Sequence, residues 1–196
     1  ERDEPARTGD ADRHRLAMPF GRREGGVWGH GGGHRGGGQG QGKGRAVNGP
    51  AWHGPSLLEV LRDVNPVDAA ARPVLGAHSI WELVAHTTAW HEIVRMRLEG
   101  RAAYQITATM DWPPLDEAAQ HPAGDSAARQ WDADLSRLRR AAKDLQAAVA
   151  AQGDEGLADD LPGADDTWTA YHTLHGVLQH TLYHTGQIAV LKKRAS

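Results

Sequence analysis

The chain of 196 residues contains no cysteine, and this single absence excludes disulfides, Cys-ligated zinc, iron–sulfur clusters and a protein thiol nucleophile. Any thiol chemistry therefore needs a thiol brought in from outside. There is also no continuous apolar stretch long enough to span a bilayer, and no charged, apolar, small-residue sequence of a secretory signal at the N-terminus. A cytoplasmic protein without a membrane partner is the expectation. A bias toward basic charge is missing as well: 22 Lys and Arg stand against 25 Asp and Glu, for a net charge of -3. Overall electrostatics gives nucleic-acid binding no support. Strand-like alternation of any length is absent too, which leaves an all-α bundle as the economical architecture.

The apolar fraction of 39% is low, and glycine accounts for much of the difference. Residues 1–20 are charged, and Gly21–Gly44 is about half glycine, interspersed with Arg, His and Gln. Ordering such a stretch costs maximal backbone entropy and buries almost nothing. Residues 1–44 are read as a disordered low-complexity extension. An RGG-like tail or a loose metal-scavenging tract, from Gly29 to Gly38, is the competing reading. Residues 45–196 form the expected folded domain.

Within that domain two helix starts carry the same signature. Ser56-Leu57-Leu58-Glu59 and Ser79-Ile80-Trp81-Glu82 are both Ser-x-x-Glu capping boxes. The first opens a short helix with Leu57, Leu58, Leu61 and Val64 as its stripe, ending at Asn65-Pro66, with Asp68 as cap of one further turn. The second opens a helix running to Glu99, with Gly100 as the stop. Its inward face reads Leu83, His86, Trp90 and Ile93, and His91 is rotated toward the rim. Arg101–Gly124, rich in proline, is a long crossover in which Asp111 and Trp112 stand out. A third helix follows from Asp125 to about Gln152, with Trp131, Leu135, Leu138, Ala142, Leu145 and Val149 as a structural stripe.

The last helix, Thr169–Lys193, capped by Asp166 or Thr167, carries the chemistry. Residues four apart lie one turn above each other, so His180 and His184 point the same way and their ring nitrogens can converge on one ion. Val177, Ile188 and Leu191 share that face, which places both imidazoles on the buried side. Unpaired buried imidazoles are costly, and a metal with a third ligand removes the cost. His86, also within an apolar stripe, supplies it. The place of the zincin general base, directly after the first histidine, is held by Thr181, and the Glu-x-x-His repeats of di-iron bundles are missing. What remains is a three-histidine site with positions open to water or substrate, suited to zinc, nickel or iron. Glu82, one turn before His86, and Gln187, just beyond His184, are the candidates for orienting the ligands or touching substrate. Tyr183 is turned away from the histidine face, and His175 lies off it.

The segment Trp81-Glu82-Leu83-Val84-Ala85-His86, taken with Leu174 through Ile188 and its His180 and His184, resembles the DinB/YfiT-like family. Trp52-His53-Gly54-Pro55-Ser56 is similar to a stretch in one of its branches. The resemblance covers about Arg45–Lys193. It implies an up-down-down-up four-helix bundle, a divalent metal on His86, His180 and His184, and frequent homodimers. Relatives include transferases and isomerases that use low-molecular-weight thiols, so it implies a metal-dependent transferase acting on a small-molecule substrate. Mycothiol, bacillithiol or glutathione would supply the thiol. A metal-dependent hydrolase, or a non-catalytic bundle with a structural metal, are the alternatives. The chain departs from the family at its first helix, where glycine-rich sequence replaces a longer amphipathic segment. A groove between the neighbouring helices is expected to be left open there.

Overall fold

The structure, a computed structural model, describes residues 46–49, 53–101, 105–161 and 168–195. The expected extension over residues 1–44, and the expected caps Asp166 and Thr167, lie outside the described residues. Among those described, no helix is long and apolar enough to cross a membrane.

Helix α1, Leu57–Val60, is locked at its start by Glu59, whose carboxylate accepts from both the backbone N–H and the hydroxyl of Ser56 at 2.8 Å. Leu57, Leu61 and Val64 are buried behind it. Helix α2 spans Pro66–Ala70, and its cap is Asn65 rather than the expected Asp68. Pro66 occupies the first helical position, where its missing N–H costs nothing, so the residue before it must be the cap. The Asn65 side-chain oxygen accepts from the Asp68 N–H at 2.9 Å.

Helix α3, Ile80–Leu98, opens on the expected capping box: Ser79 Oγ accepts from the Glu82 N–H (3.2 Å) and Glu82 Oε2 from the Ser79 N–H (2.7 Å). It closes at Gly100, whose φ of +69° lets the Arg101 N–H return to the Met96 carbonyl at 2.8 Å. Helices α4, Ala108–Asp111, and α5, Glu117–Gln120, lie in the crossover. Helix α6, Gly124–Gly156, is broken at Gly153 (φ +66°), one residue beyond the expected end. Trp131, Leu135, Leu138, Leu145 and Val149 are buried as expected, with Ala141 in place of Ala142. Two-residue strands β1, Asp160–Leu161, and β2, Trp168–Thr169, pair antiparallel, a short element that no alternation announced. Helix α7, Ala170–Ala195, follows directly. Thr169 Oγ1 accepts from the His172 N–H at 3.3 Å and so does the work of a cap.

Two apolar clusters orient the long helices. One joins Trp81 and Val84 near the start of α3 to Trp131 and Leu138 in the first half of α6, and to Ile188 and Leu191 late in α7. The other joins Val94 and Leu98 at the end of α3 to Leu145 and Val149 of α6 and to Leu174 and Val177 early in α7. Helices α3 and α6 are thus parallel and α7 antiparallel to both, which is the down-down-up part of the expected bundle. Trp81 and Trp131 meet edge to face at 5.0 Å, and each indole N–H has an acceptor, Asp134 and the Val64 carbonyl. The groove expected to stand open is covered here by Ala46 and Val47, only 2% and 3% exposed. With His91, Leu145, Leu174 and Thr181 they enclose a cavity of about 20 Å³.

Candidate metal centre

Parallel neighbours impose a long return: after the 19 residues of α3 the chain must travel back roughly 29 Å before α6 begins. That return, Arg101 to Ala123, passes across His86. Asp111, the last residue of α4, accepts the His86 Nδ1–H on its main-chain carbonyl at 2.5 Å, and its carboxylate oxygen lies 3.3 Å from the same nitrogen. Trp112 lies flat on the His86 ring (3.8 Å between centroids, 8° between planes), and His78 stacks on the other side of Trp112 at 3.6 Å and 11°.

From α7, His180 and His184 meet His86 across the bundle. His180 Nε2 lies 2.8 Å from His86 Nε2 and 3.0 Å from His184 Nε2. The three residues form the group of potential metal ligands found among the described residues, their donor atoms all within 4.8 Å of one another. His184 Nδ1–H donates to Gln187 Oε1 at 2.6 Å, so Gln187 does reach the cluster. Gln187 in turn donates to the Tyr183 hydroxyl at 3.1 Å, which ties that exposed ring to the site.

These contacts settle where the protons are. A neutral imidazole carries one N–H, and both oxygen partners are acceptors, so His86 and His184 keep the hydrogen on Nδ1 and turn a bare Nε2 lone pair inward. His180 has one hydrogen to offer and two Nε2 neighbours. At least one of the two short contacts then sets lone pair against lone pair unless a cation lies between. His180 Nδ1 is moreover buried without a hydrogen-bond partner among the described residues. The donor set fits a divalent ion of the zinc, nickel or iron kind.

Electrostatics favours the same state. Burial, reinforced by the neighbouring imidazoles of His184, His86 and His91, pushes His180 down to about 3. Burial takes His184 to about 4 against the opposing pull of Gln187, and lowers His86 against that of the Asp111 carbonyl and carboxylate. All three are neutral at pH 7, the state a metal ligand requires.

Two expectations are corrected. Glu82 does not orient His86: its carboxylate is taken by the Ser79 N–H and by Arg72, and Asp111 holds the His86 nitrogen instead. His91 is not at the rim but 3% exposed, with Nε2 at 3.0 Å from Thr181 Oγ1. Because the Thr181 hydroxyl donates to the Val177 carbonyl at 2.8 Å, it accepts from His91, and Thr181 serves packing where a zincin carries its base. His175, off the ligand face, packs its ring on Tyr171 at 4.4 Å.

Comparison with known families bears on what this cluster belongs to. A family model described as the DinB superfamily matches residues 52–188, more than two thirds of the chain, and the matched span contains all three histidines. Comparison with curated proteins and with solved structures finds no match. The chain belongs to the DinB superfamily.

Proposed function

We propose that this protein is a metal-dependent transferase that holds a divalent ion on His86, His180 and His184 and moves a group to or from a low-molecular-weight thiol. The observation that supports the reading is the convergence of three neutral imidazoles whose Nε2 lone pairs have no sufficient proton between them. When bound, the ion would lower the pKa of a thiol or water and stabilise developing negative charge. The chain's own residues prepare that role. Asp111 and Gln187 fix the tautomers of two ligands, and Trp112 shields one face of His86 from water. The sequence holds no cysteine, so in this reading the sulfur is brought in by a low-molecular-weight thiol such as mycothiol, bacillithiol or glutathione. On family resemblance alone we take the working form to be a cytoplasmic homodimer acting on a small-molecule electrophile.

A non-catalytic structural metal is the second reading, and one observation favours it: His86 and His184 are only 4% and 6% exposed. The two separate by experiment. Purified protein is assayed for bound metal, then incubated with each of the three thiols and an aryl halide electrophile. Thiol-dependent turnover that disappears in His184→Ala supports the transferase. Metal whose removal lowers the melting temperature, with no turnover under any thiol, supports the structural role. Turnover of an ester without thiol would replace both with a hydrolase.

A further inference from the structure

The crossover grips helix α3 at two successive turns. His86 and Trp90 are four residues apart, so they stand one above the other on the same face. Both donate to one residue of α4: the His86 Nδ1–H to the Asp111 carbonyl at 2.5 Å, and the Trp90 indole N–H to the Asp111 carboxylate at 2.8 Å. The carboxylate bond pins the residue whose carbonyl holds the ligand. The next residue, Trp112, then stacks on His86 and is itself backed by His78. His86 is thereby fixed in tautomer by one contact and in ring plane by the other. His184 has only the single side-chain amide of Gln187, which hangs from the same helix. His180 Nδ1 has no acceptor among the described residues.

We propose that Asp111 is the positioning residue of this centre: through its main-chain carbonyl on His86 and its carboxylate on Trp90, it sets the ring of the one ligand that α7 does not supply. This rests on the three-histidine reading above. Outer partners of metal-bound histidines fix the ring orientation and raise its basicity, and their loss weakens metal binding roughly 10- to 100-fold. The carboxylate adds to this directly, since its oxygen lies 3.3 Å from His86 Nδ1. The contacts of Asp111 with His86 are at Nδ1, the nitrogen that faces away from the cluster, and not at the Nε2 that faces His180.

The test uses the full chain loaded with Co²⁺ or Zn²⁺, with affinity measured by competition against a chelating dye and the Co²⁺ visible spectrum recorded. Asp111→Ala is expected to weaken binding about 10- to 100-fold and to shift the Co²⁺ bands, while Asp111→Asn, which can still accept from Trp90, retains most of the affinity. Trp90→Phe, which keeps a ring and removes the N–H, is expected to lose less than Asp111→Ala. The double variant is expected to lose no more than Asp111→Ala alone, because both act through one contact. Glu82→Gln is the structural control: it weakens the α3 cap and lowers the melting temperature, but leaves affinity and spectrum as they were. Should Asp111→Ala bind either metal as tightly as wild type with the same spectrum, the proposal is overturned and the triad stands. Should wild type and His184→Ala bind equally, the triad itself is wrong and the proposal falls with it.

Discussion

His91 offers the cleanest quantitative test of the packing, because it is buried, titratable and outside the metal cluster. Its surroundings are apolar apart from Thr181: Ala46, Val47, Leu145, Leu174, Val177 and Leu178 line the same small cavity. No carboxylate among the described residues compensates, and desolvation by burial lowers it from 6.5 to about 4. The sign follows from proton counting. Below pH 6.5 the unfolded chain takes up a proton at His91 that the folded protein refuses until pH falls through about 4, so stability drops across that window and levels off beneath it. Each pH unit within it is worth about 1.4 kcal/mol. Between pH 7.5 and pH 5.0 the loss from this one residue is about 2 kcal/mol, and over the whole window about 3 kcal/mol. The perturbation is His91→Phe, which keeps a ring of similar size, removes the titration, and leaves the Thr181 hydroxyl on Val177. Urea unfolding followed by tryptophan fluorescence, at both pH values and with chelator present, gives the difference between variant and wild type. The triad histidines titrate in both proteins and cancel apart from the smallest part of His180's shift, which comes from His91 itself. A gap in favour of the variant that widens by about 2 kcal/mol at pH 5.0 is expected. An identical pH dependence in the two proteins would show that His91 is solvated or paired, contrary to its placement.

The remaining predictions concern the metal, a cap and a kink. His86→Ala, His180→Ala and His184→Ala each lose stoichiometric metal by elemental analysis of the purified protein, whereas His175→Ala, whose ring rests on Tyr171, retains it; full metal content in both His86→Ala and His184→Ala would dismiss the triad. Ser79→Ala removes the acceptor of the Glu82 N–H and costs about 1 kcal/mol in urea unfolding, with metal content unchanged. Gly153→Ala meets no neighbouring atom within 4 Å but forces a β-carbon onto φ +66° and ψ 179°, a region open almost only to glycine. It costs roughly 1–3 kcal/mol, read as a lowered melting temperature, and a neutral result would mean that the kink relaxes.

What the sequence shows and what it hides divides along the range of the interactions. The cap of α3, the stop at Gly100 and the one-turn spacing of His180 and His184 are local, and each follows from residues within one or two turns of each other. His91 escaped because α3 packs against both α6 and α7, so its buried surface is far wider than one stripe: Thr87, Thr88 and Ala89 are inside along with Leu83, His86 and Ile93. A helix enclosed on more than one side has no polar face from which to count. Glu82 was misplaced for a different reason. Its position before His86 permits either role, and the Ser79 N–H at the helix start, 2.7 Å from its carboxylate, is a partner that needs no other part of the bundle.

Asp111 stands out in the crossover, but its partner was hidden because its grip on His86 is made by a main-chain atom, which carries no residue-type signature. Its presence at the site is nonetheless a consequence of topology that sequence does contain. A histidine on α3 and a pair on α7 can face each other only if those helices are adjacent, and a parallel α6 on the other flank of α3 obliges the connecting chain to run back along the bundle. That return is long enough to hold two helical turns, and it passes the end of α3 that bears His86. A tryptophan and an aspartate set side by side within such a return, where solvent-facing residues would serve as well, mark the point where it touches the core. The centre is therefore assembled from three separate stretches of chain, α3, the crossover and α7. Anything that loosens the crossover is expected to be felt at His86 before it is felt at His180 or His184.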